Sequence, residues 1–327
     1  MTSTRQRYVQ PGAGKKEARY ELVTIPEPFG PVDLVVDEDK VRAYAFAQGD
    51  YGSWYFGASP FGGPVGHALV LANDLLFLFY DGYDGNTAQG LHTHEHLTFH
   101  APVKVGERVR VTGGYTEKYE RRGQGYVVLE AEARGEDGRL LVTHVGREIM
   151  RTVAGEVVGR KSAGDGDGRR VRAQAREDLP AAERAAAGLA EGTPVYGPRR
   201  AFTQDQMDVF SWAGQGYSNV HTSMEKAARS GLDRTIVQAQ QQTGLIVETM
   251  VRFFGASWFT SGDLDLRFVN PTFVGEALTV HGAVLGERDG RLELEVWTTK
   301  DDGTRTALGW ASAALDGVTA GPSPLLG

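Results

Sequence analysis

A single phrase of strand-like sequence occurs twice in this chain of 327 residues. LTFHAPVKVGE, at 97–107, returns as LRFVNPTFVGE at 266–276, with Leu, Phe, Pro, Gly and Glu in matching positions. Leu97 therefore corresponds to Leu266, an offset of 169 residues. A repeat of this kind indicates that a whole structural unit is duplicated. The chain is thus expected to contain two copies of one domain.

The repeated phrase and the sequence after it predict antiparallel strands. In each copy, alternating apolar and polar residues lead to the proline, and a Gly-Glu turn opens a second alternating run. Two more alternating segments follow in each half and meet at Glu-Asp-Gly or Asp-Asp-Gly, both of which are hairpin signals. The strands predicted after the phrase are 108–115, 125–134 and 139–149 in the first half, and 277–284, 291–300 and 305–315 in the second.

A long apolar segment precedes the phrase in each half, at 65–80 and at 236–254. Both segments exceed normal strand length, so we predict two buried helices. One long helix followed by several antiparallel strands, occurring twice, indicates the α+β fold class. The pattern resembles two tandem hotdog domains, in which an antiparallel sheet wraps around a long central helix and the two copies form a pseudo-dimer.

The segment between the copies reads as a connection. GRKSAGDGDGRR, at 159–170, predicts a flexible linker, and REDLPAAERAAAGLAEG, at 176–192, predicts a short surface helix. We therefore expect a first domain over 1–151, a linker over 152–197 and a second domain over 198–327.

Composition excludes several classes of function. The chain has no cysteine, which excludes disulfides, thiolate metal sites and cysteine nucleophiles. A net charge of -7 argues against nucleic acid or an anionic membrane as a partner, since both need clustered Lys and Arg. The first residues lack the apolar core of a signal peptide, and no stretch has the length of a membrane span. We expect a cytoplasmic protein.

One loop of the second copy carries a family resemblance. Tyr217-Ser218-Asn219-Val220-His221-Thr222, followed by MEKAARSGL at 224–232, resembles the hydratase loop of the MaoC-like acyl-thioester hydratases and dehydratases, in their fused double-hotdog form. The resemblance implies a hydro-lyase that hydrates an enoyl thioester or dehydrates a 3-hydroxyacyl thioester. In that family an Asp and a His act on a water, and a helix N-terminus donates an N–H to the thioester oxygen. The reaction needs no metal and no cofactor, so we expect neither.

Mapped onto the family pattern, His221 takes the place of the histidine and Gly216 that of the Asp, so the usual carboxylate is missing. The segment at 235–240 takes the place of the His-Gly pair that opens the family helix. We predict that His221 is the general acid/base and that Asn219 positions water or a carbonyl group. The residues predicted to bind substrate from this copy are Tyr217, Gln238, Ala239 and Gln240.

The first copy offers a substitute for the missing carboxylate. Its equivalent loop contains Asp50, and the segment before its predicted helix contains His67. A composite or relocated site that uses Asp50 as a catalytic group and His67 as a binding group is therefore a further hypothesis. Its alternative is that the two residues are a turn carboxylate and a core histidine.

Four histidines share strand parity just before and within the first phrase: 92, 94, 96 and 100. An HxH pair on a strand can hold Zn²⁺ with a third ligand, but the same parity also describes one polar face opposite Leu97 and Phe99. The second copy has Asp263 and Asp265 in this strand and no histidine. We therefore favour the polar face and predict no metal.

Three further functions stay open beside the hydro-lyase. The same pocket suits a biosynthetic tailoring enzyme, such as a cyclase, isomerase or lyase on a non-standard substrate, or a non-catalytic acyl or carrier-binding protein. A thioesterase usually needs a carboxylate on the central helix, for which Asp74 and Glu248 are the candidates. The expected partner is a small-molecule substrate, either acyl-CoA or a carrier-bound acyl thioester, and the fold allows a homodimer of double hotdogs.

Overall fold

The computed structural model describes residues 14–150, 170–214 and 216–325. Its main feature is one sheet of ten antiparallel strands to which each repeat contributes five. The first repeat contributes β2 (Glu27–Val36), β4 (Leu91–Phe99), β5 (Glu107–Arg121), β6 (Gln124–Gly135) and β7 (Leu140–Ile149). Two further strands of this repeat, β1 (Lys16–Glu17) and β3 (Tyr83–Asp84), form a small separate sheet. The strands of the second repeat are β8 (Pro194–Ala201), β9 (Asp263–Phe268), β10 (Ala277–Arg288), β11 (Arg291–Lys300) and β12 (Arg305–Ala314).

The strand order shows the internal symmetry. The order is β2-β5-β6-β7-β4-β9-β12-β11-β10-β8, so β4 and β9 meet at the centre. Counted outward from the centre, equivalent strands of the two repeats follow in the same order. The register at this junction is symmetric as well, because Leu97 pairs with Leu264 and Glu95 pairs with Leu266. The two repeats therefore form a pseudo-dimer with a continuous sheet, and the predicted α+β arrangement of tandem hotdogs is confirmed.

The helices are short apart from two. They are α1 (Glu38–Gln48), α2 (Ser53–Phe56), α3 (Ala72–Leu76), α4 (Gln204–Phe210), α5 (Met224–Arg229), α6 (Ala239–Phe254) and α7 (Ala256–Ser261). In α6 every residue except Ala239 and Arg252 is buried, as a central helix wrapped by a sheet requires. It ends at Gly255, whose φ of 61° is a conformation that glycine adopts without strain.

The predicted helix over 65–80 is not continuous, which corrects the sequence interpretation. Residues 66 and 67 have no regular structure, residues 68–71 form a turn, α3 spans a little over one helical turn, and Phe77–Asp81 form a 3₁₀ helix. The imidazole Nδ1 of His67 accepts the backbone N–H of Leu69, and Val70 donates to the His67 carbonyl, which closes a tight turn where a helix would continue. The run is apolar because it is buried, as predicted, but its fold is a chain of short turns.

The connection between the repeats also differs from the prediction. The described residues of 176–192 contain turns and no helix, because Pro180 interrupts the segment and its backbone bonds elsewhere. Ala182 donates to the Pro194 carbonyl and Ala185 to the Phe253 carbonyl. The second repeat begins with β8 at Pro194, inside the predicted linker. Residues 151–169, where the flexible linker is predicted, lie outside the described residues.

Two amphipathic helices that frame the site carry clear caps. The side chain of Asp37 accepts the backbone N–H of Lys40 at the start of α1. Thr203 and Gln206 form a reciprocal capping box at the start of α4. The two helices pack against each other across the repeats, and the loops that follow them lead to Asp50 and to His221. Among the helices that the structure describes, none is long and apolar enough to cross a membrane.

Candidate active site

A cavity of about 300 Å³ lies between the two repeats. The second repeat contributes Asn219, Val220, His221 and the segment Ile236 to Ala239. The first repeat contributes the aromatic side chains of its interrupted helix, the start of β4 and the end of β7. The interruption of the first central helix is what places Phe77, Phe79 and Tyr80 on the cavity wall. The opening is therefore largely apolar, with a few polar groups from both copies.

His221 has a fixed tautomer. Its Nδ1 lies 2.8 Å from the carbonyl oxygen of Ile236. Since a carbonyl can only accept, Nδ1 carries the proton and Nε2 presents a lone pair. Nε2 forms no hydrogen bond with the described residues. Burial lowers the pKa of His221 to about 4, with the Ile236 carbonyl acting in the opposite direction. The imidazole is thus neutral at pH 7 and able to accept a proton at Nε2.

Asn219 holds the His221 loop (residues 216–222) in shape. Its Oδ1 accepts the backbone N–H of His221 at 2.9 Å, and its Nδ2 donates to the hydroxyl of Tyr217 at 3.0 Å. The Tyr217 hydroxyl lies 2.9 Å from the Tyr80 hydroxyl of the first repeat. Tyr217 does not line the cavity, but its hydroxyl contacts two residues that do, Asn219 and Tyr80. Its place in the structure is thus that of a positioning residue, and direct binding of substrate by Tyr217 stays a prediction.

The N-terminus of α6 lies at the same cavity as His221. The backbone N–H groups of Gln241 and Gln242 bond back to the carbonyl of Gln238, which is the N-cap. Ala239 and Gln240 are the first two helical residues, whose N–H groups have no partner within a helix. Ala239 lines the cavity beside His221, whereas Gln240 does not. The backbone N–H of Ala239, at the positive end of a sixteen-residue helix, therefore suits a developing oxyanion.

The two glutamines predicted to bind substrate have different surroundings. The Gln238 side chain lines the cavity, but its Oε1 accepts from the Ser211 hydroxyl at 2.8 Å and its Nε2 donates to Asn73 Oδ1 at 2.7 Å. Gln240 does not line the cavity, because its Nε2 donates to Glu95 Oε1 at 2.8 Å. Both side chains are therefore hydrogen-bonded to other parts of the protein, and of the two residues only Gln238 borders the cavity.

The His221 loop contains no carboxylate. Gly216, the predicted counterpart of the family Asp, has a φ of 84°, in the left-handed region. The acidic residue that does line the cavity is Glu148, at the end of β7. Its carboxylate forms no hydrogen bond with the described residues, and burial, followed by the charge of Glu95, raises its pKa to about 7. The sequence interpretation missed Glu148.

A β-bulge changes the predicted face of the histidine strand. The register of β4 shifts between His92 and His94, so His92 turns inward to the same side as Glu95. His94 and His96 point the other way and lie 3.1 Å and 2.9 Å from Asp265 and Asp263 of β9. The expectation of one common polar face is therefore wrong for His92, which lines the cavity.

Asp50 and His67 meet each other but do not border the cavity. Their side chains are buried, with His67 Nε2 3.6 Å from Asp50 Oδ2, and the Tyr55 hydroxyl donates to the same oxygen at 2.9 Å. Burial lowers the pKa of His67 to about 4. The helix carboxylates considered for a thioesterase are engaged in ion pairs, Asp74 with Lys40 at 2.7 Å and Glu248 with Arg200 at 2.6 Å. Neither Asp74 nor Glu248 lines the cavity.

Comparisons with known proteins agree on the fold. Residues 23–144 match the family model described as "FAS1-like, dehydratase domain region". A solved structure described as a MaoC-like dehydratase is 15% identical, with a TM-score of 0.64 over 89% of this chain and 97% of that one. A protein from Chloroflexus aurantiacus J-10-fl described as a MaoC domain dehydratase is 13% identical, with a TM-score of 0.65 over 93% and 98%.

A Mycobacterium tuberculosis protein described as having a double hotdog fold is 13% identical and has a TM-score of 0.64 over 93% of this chain and 99% of that one. No curated protein sequence matches the chain. At these identities the structural similarity establishes the fold, while the activity has to be argued from the cavity.

Proposed function

We propose that this protein, which has the double-hotdog fold of the MaoC-like dehydratases, is a hydro-lyase acting on an acyl thioester. The observation that carries the proposal is the tautomer of His221. The unprotonated Nε2 belongs to a residue that borders a largely apolar cavity, as does Ala239, whose backbone N–H stands at the start of α6. A base and an oxyanion donor on one cavity wall are what hydration of an enoyl thioester requires.

In the hydration direction, Nε2 of His221 takes a proton from a water molecule, and the oxygen of that water bonds to Cβ of the enoyl group. The electrons of the double bond move toward the thioester carbonyl, whose oxygen accepts from the backbone N–H of Ala239. The proton on Nε2 is then transferred to Cα, which restores the neutral imidazole. One histidine thus serves both proton transfers, and dehydration of a 3-hydroxyacyl thioester follows the same steps in reverse.

Asn219 supports this chemistry by fixing the loop. Because its Oδ1 accepts the N–H of His221, the imidazole is held between that bond and the Ile236 carbonyl. Preorganisation of this kind reduces the orientational cost of bringing the base to the water. The pairing of Asp50 with His67 as a relocated site stays a prediction, which Asp50→Asn and His67→Gln variants test in the same assay.

The cavity also favours a second candidate, a tailoring enzyme whose substrate carries a polar group. Glu148 and His92 place two ionisable side chains on a wall that a plain acyl chain would leave without partners. A hydroxyl or amino group on the acyl portion would satisfy Glu148. This candidate keeps His221 as the base and changes only the identity of the substrate.

The test is a mass-spectrometric hydration assay of the purified protein with short, branched, aromatic and hydroxylated enoyl-CoA thioesters. We expect turnover that falls by about 10²- to 10⁴-fold in His221→Ala. His281→Gln is the matched control, since His281 lies on β10 with its ring stacked on Trp297 and does not line the cavity. Binding of the thioesters without turnover in the native protein would instead indicate an acyl or carrier-binding protein.

A further inference from the structure

Three side chains that commonly bind metal ions lie together in the first repeat. His92 and Glu95 come from β4 and His144 from β7, and their ligand atoms all lie within 4.8 Å of one another. His144 Nε2 is 3.3 Å from Glu95 Oε1. Two ligands of a tetrahedral zinc ion, at bond lengths of roughly 2.0–2.1 Å, are separated by about the same distance.

The nitrogens of the two imidazoles are largely without partners. Nδ1 and Nε2 of both His92 and His144 are buried, and apart from the 3.3 Å approach of His144 Nε2 to Glu95 Oε1 none of the four has a hydrogen-bond partner among the described residues. His144 is only 1% exposed. Every imidazole carries at least one N–H, and buried polar groups in folded proteins are rarely left unpaired. A cation between the rings would take one lone pair from each of them.

Gly146 keeps the space between the two rings open. A Cβ at this position would lie 3.2 Å from His144 Nε2 and 3.4 Å from His92 Nε2. The two Nε2 atoms therefore border the same small volume above the glycine. Any side chain at residue 146 would press on the imidazoles where they come together.

Glu95 is fixed as a ligand would be. Its Oε1 accepts from Gln240 Nε2 at 2.8 Å and its Oε2 from the Thr243 hydroxyl at 2.7 Å, both from α6. The Glu95 side chain is fully buried. A fully buried carboxylate calls for a cation, and hydrogen bonds from an outer shell commonly orient metal ligands.

The second repeat shows that the fold does not need this polar group. The strand position of Glu95 corresponds to Leu264 across the pseudo-dimer, and that of His144 corresponds to Gly309 by strand register. Leu264 is fully buried. The same place in the hotdog core is thus completed by apolar and small residues in one copy, and by two histidines and a glutamate in the other.

We propose that His92, Glu95 and His144 bind one divalent transition-metal ion of the zinc class. Two imidazoles and one carboxylate are a common ligand set for such ions, and three protein ligands leave a position for water or a substrate oxygen. Because His92 also lines the cavity, the ion lies at the part of the wall that the first repeat contributes. The proposal is independent of the hydro-lyase activity.

The first experiment measures metal directly. Full-length protein, freed of any affinity tag, is dialysed with Zn²⁺ and analysed by inductively coupled plasma mass spectrometry. We expect about one zinc per chain. His144→Gln and His92→Gln each weaken zinc binding by more than about 100-fold in a chelator competition, since even outer-shell changes cost 10- to 100-fold. The matched control is His94→Gln/His96→Gln, whose outward histidines face Asp265 and Asp263.

A second readout guards against variants that fail to fold. Co²⁺ added to the native protein is expected to give visible absorption bands of low-symmetry coordination by nitrogen and oxygen. Zn²⁺ is expected to raise the Tm of the native protein and of the outward control, but not that of His144→Gln. Native, folded protein that retains no zinc, gives no such cobalt bands and shows no shift in Tm would overturn the proposal. Loss of zinc in the outward control alone would do so as well.

Discussion

The Nδ1 atom of His221 lies 2.8 Å from the carbonyl oxygen of Ile236, three residues before the first residue of α6. This one hydrogen bond joins the His221 loop to the segment that carries the backbone donor. The base and the oxyanion donor therefore move as a unit. The same bond decides which imidazole nitrogen faces the cavity.

The first prediction concerns pH. Burial lowers the pKa of His221 to about 4, and the base acts only while its Nε2 is unprotonated. We expect kcat/KM to be flat from pH 7 down to about 5, and then to fall about tenfold per pH unit once the pH drops below 4. Steady-state assays on a stable thioester in constant ionic strength measure this. An acid limb near pH 6.5, where an exposed histidine titrates, contradicts it.

The second prediction concerns the bond that anchors Asn219. Tyr217→Phe removes the hydroxyl that accepts from Asn219 Nδ2, so the loop loses its support and the base is displaced. We expect kcat to fall by roughly 10- to 100-fold with little change in KM, because small displacements at a catalytic group have effects of this size. Tyr196→Phe is the control, since Tyr196 is an exposed residue of β8 that does not line the cavity. Equal losses in both variants would contradict a role through Asn219.

The third prediction concerns stability. Gln238 bridges Ser211 and Asn73, which belong to different repeats, and all three side chains are buried. Gln238→Leu leaves two buried polar groups without this partner, at a cost of about 1–3 kcal/mol for each. Urea unfolding monitored by circular dichroism measures the change. Gln124→Leu, at an exposed residue of β6, is the control, and a change below about 0.5 kcal/mol in Gln238→Leu would count against the bridge.

The fourth prediction concerns substrate choice. Glu148→Gln keeps the shape of the side chain and removes its capacity to be a charged acceptor. If Glu148 binds a polar group of the substrate, KM for hydroxylated or aminated acyl thioesters should rise by about 10- to 100-fold, the size of a lost hydrogen bond to a charged group. Unsubstituted thioesters should be unaffected. Glu130→Gln on β6 serves as an exposed control, and an equal effect on every thioester would exclude this role.

The strands were predictable because two independent signals agreed. Alternation placed one face of each strand in the core, and turn residues set the ends, so the predicted segment 291–300 coincides with β11. The second helix was predictable for its length and burial. It starts at Ala239 rather than Ile236 because Ile236 forms a bridge with Phe273, a contact distant in sequence.

The interrupted helix and the bulge were not predictable from local sequence. An apolar run is equally compatible with a buried helix and with a set of buried turns, so periodicity could not separate them. Next to His92, one extra residue in the strand turns the preceding side chains to the opposite face of the sheet. The alternation of apolar and polar residues in the sequence does not reveal this insertion. Both features depend on packing between the repeats.

The site was predictable only where a motif existed. The loop resemblance led to His221 and Asn219, and both line the cavity. Glu148 belongs to no motif, but one signal was available. In β7 the core-facing positions alternate through Val142 to His144 and Glu148. Ionisable residues at positions of apolar parity are unusual and indicate a buried polar site.

The continuous pairing of β4 with β9 has a consequence for how the molecule can change. In an assembly of two identical chains every substitution appears twice, so a helix cannot be dismantled on one side only. Here the two halves share a backbone, and each can vary without the other. The second half has the long helix α6 and the base, His221. The first half has an interrupted helix, which leaves room for the cavity, and it holds Glu95, His92 and His144. This difference between the two halves implies that each chain binds one ligand.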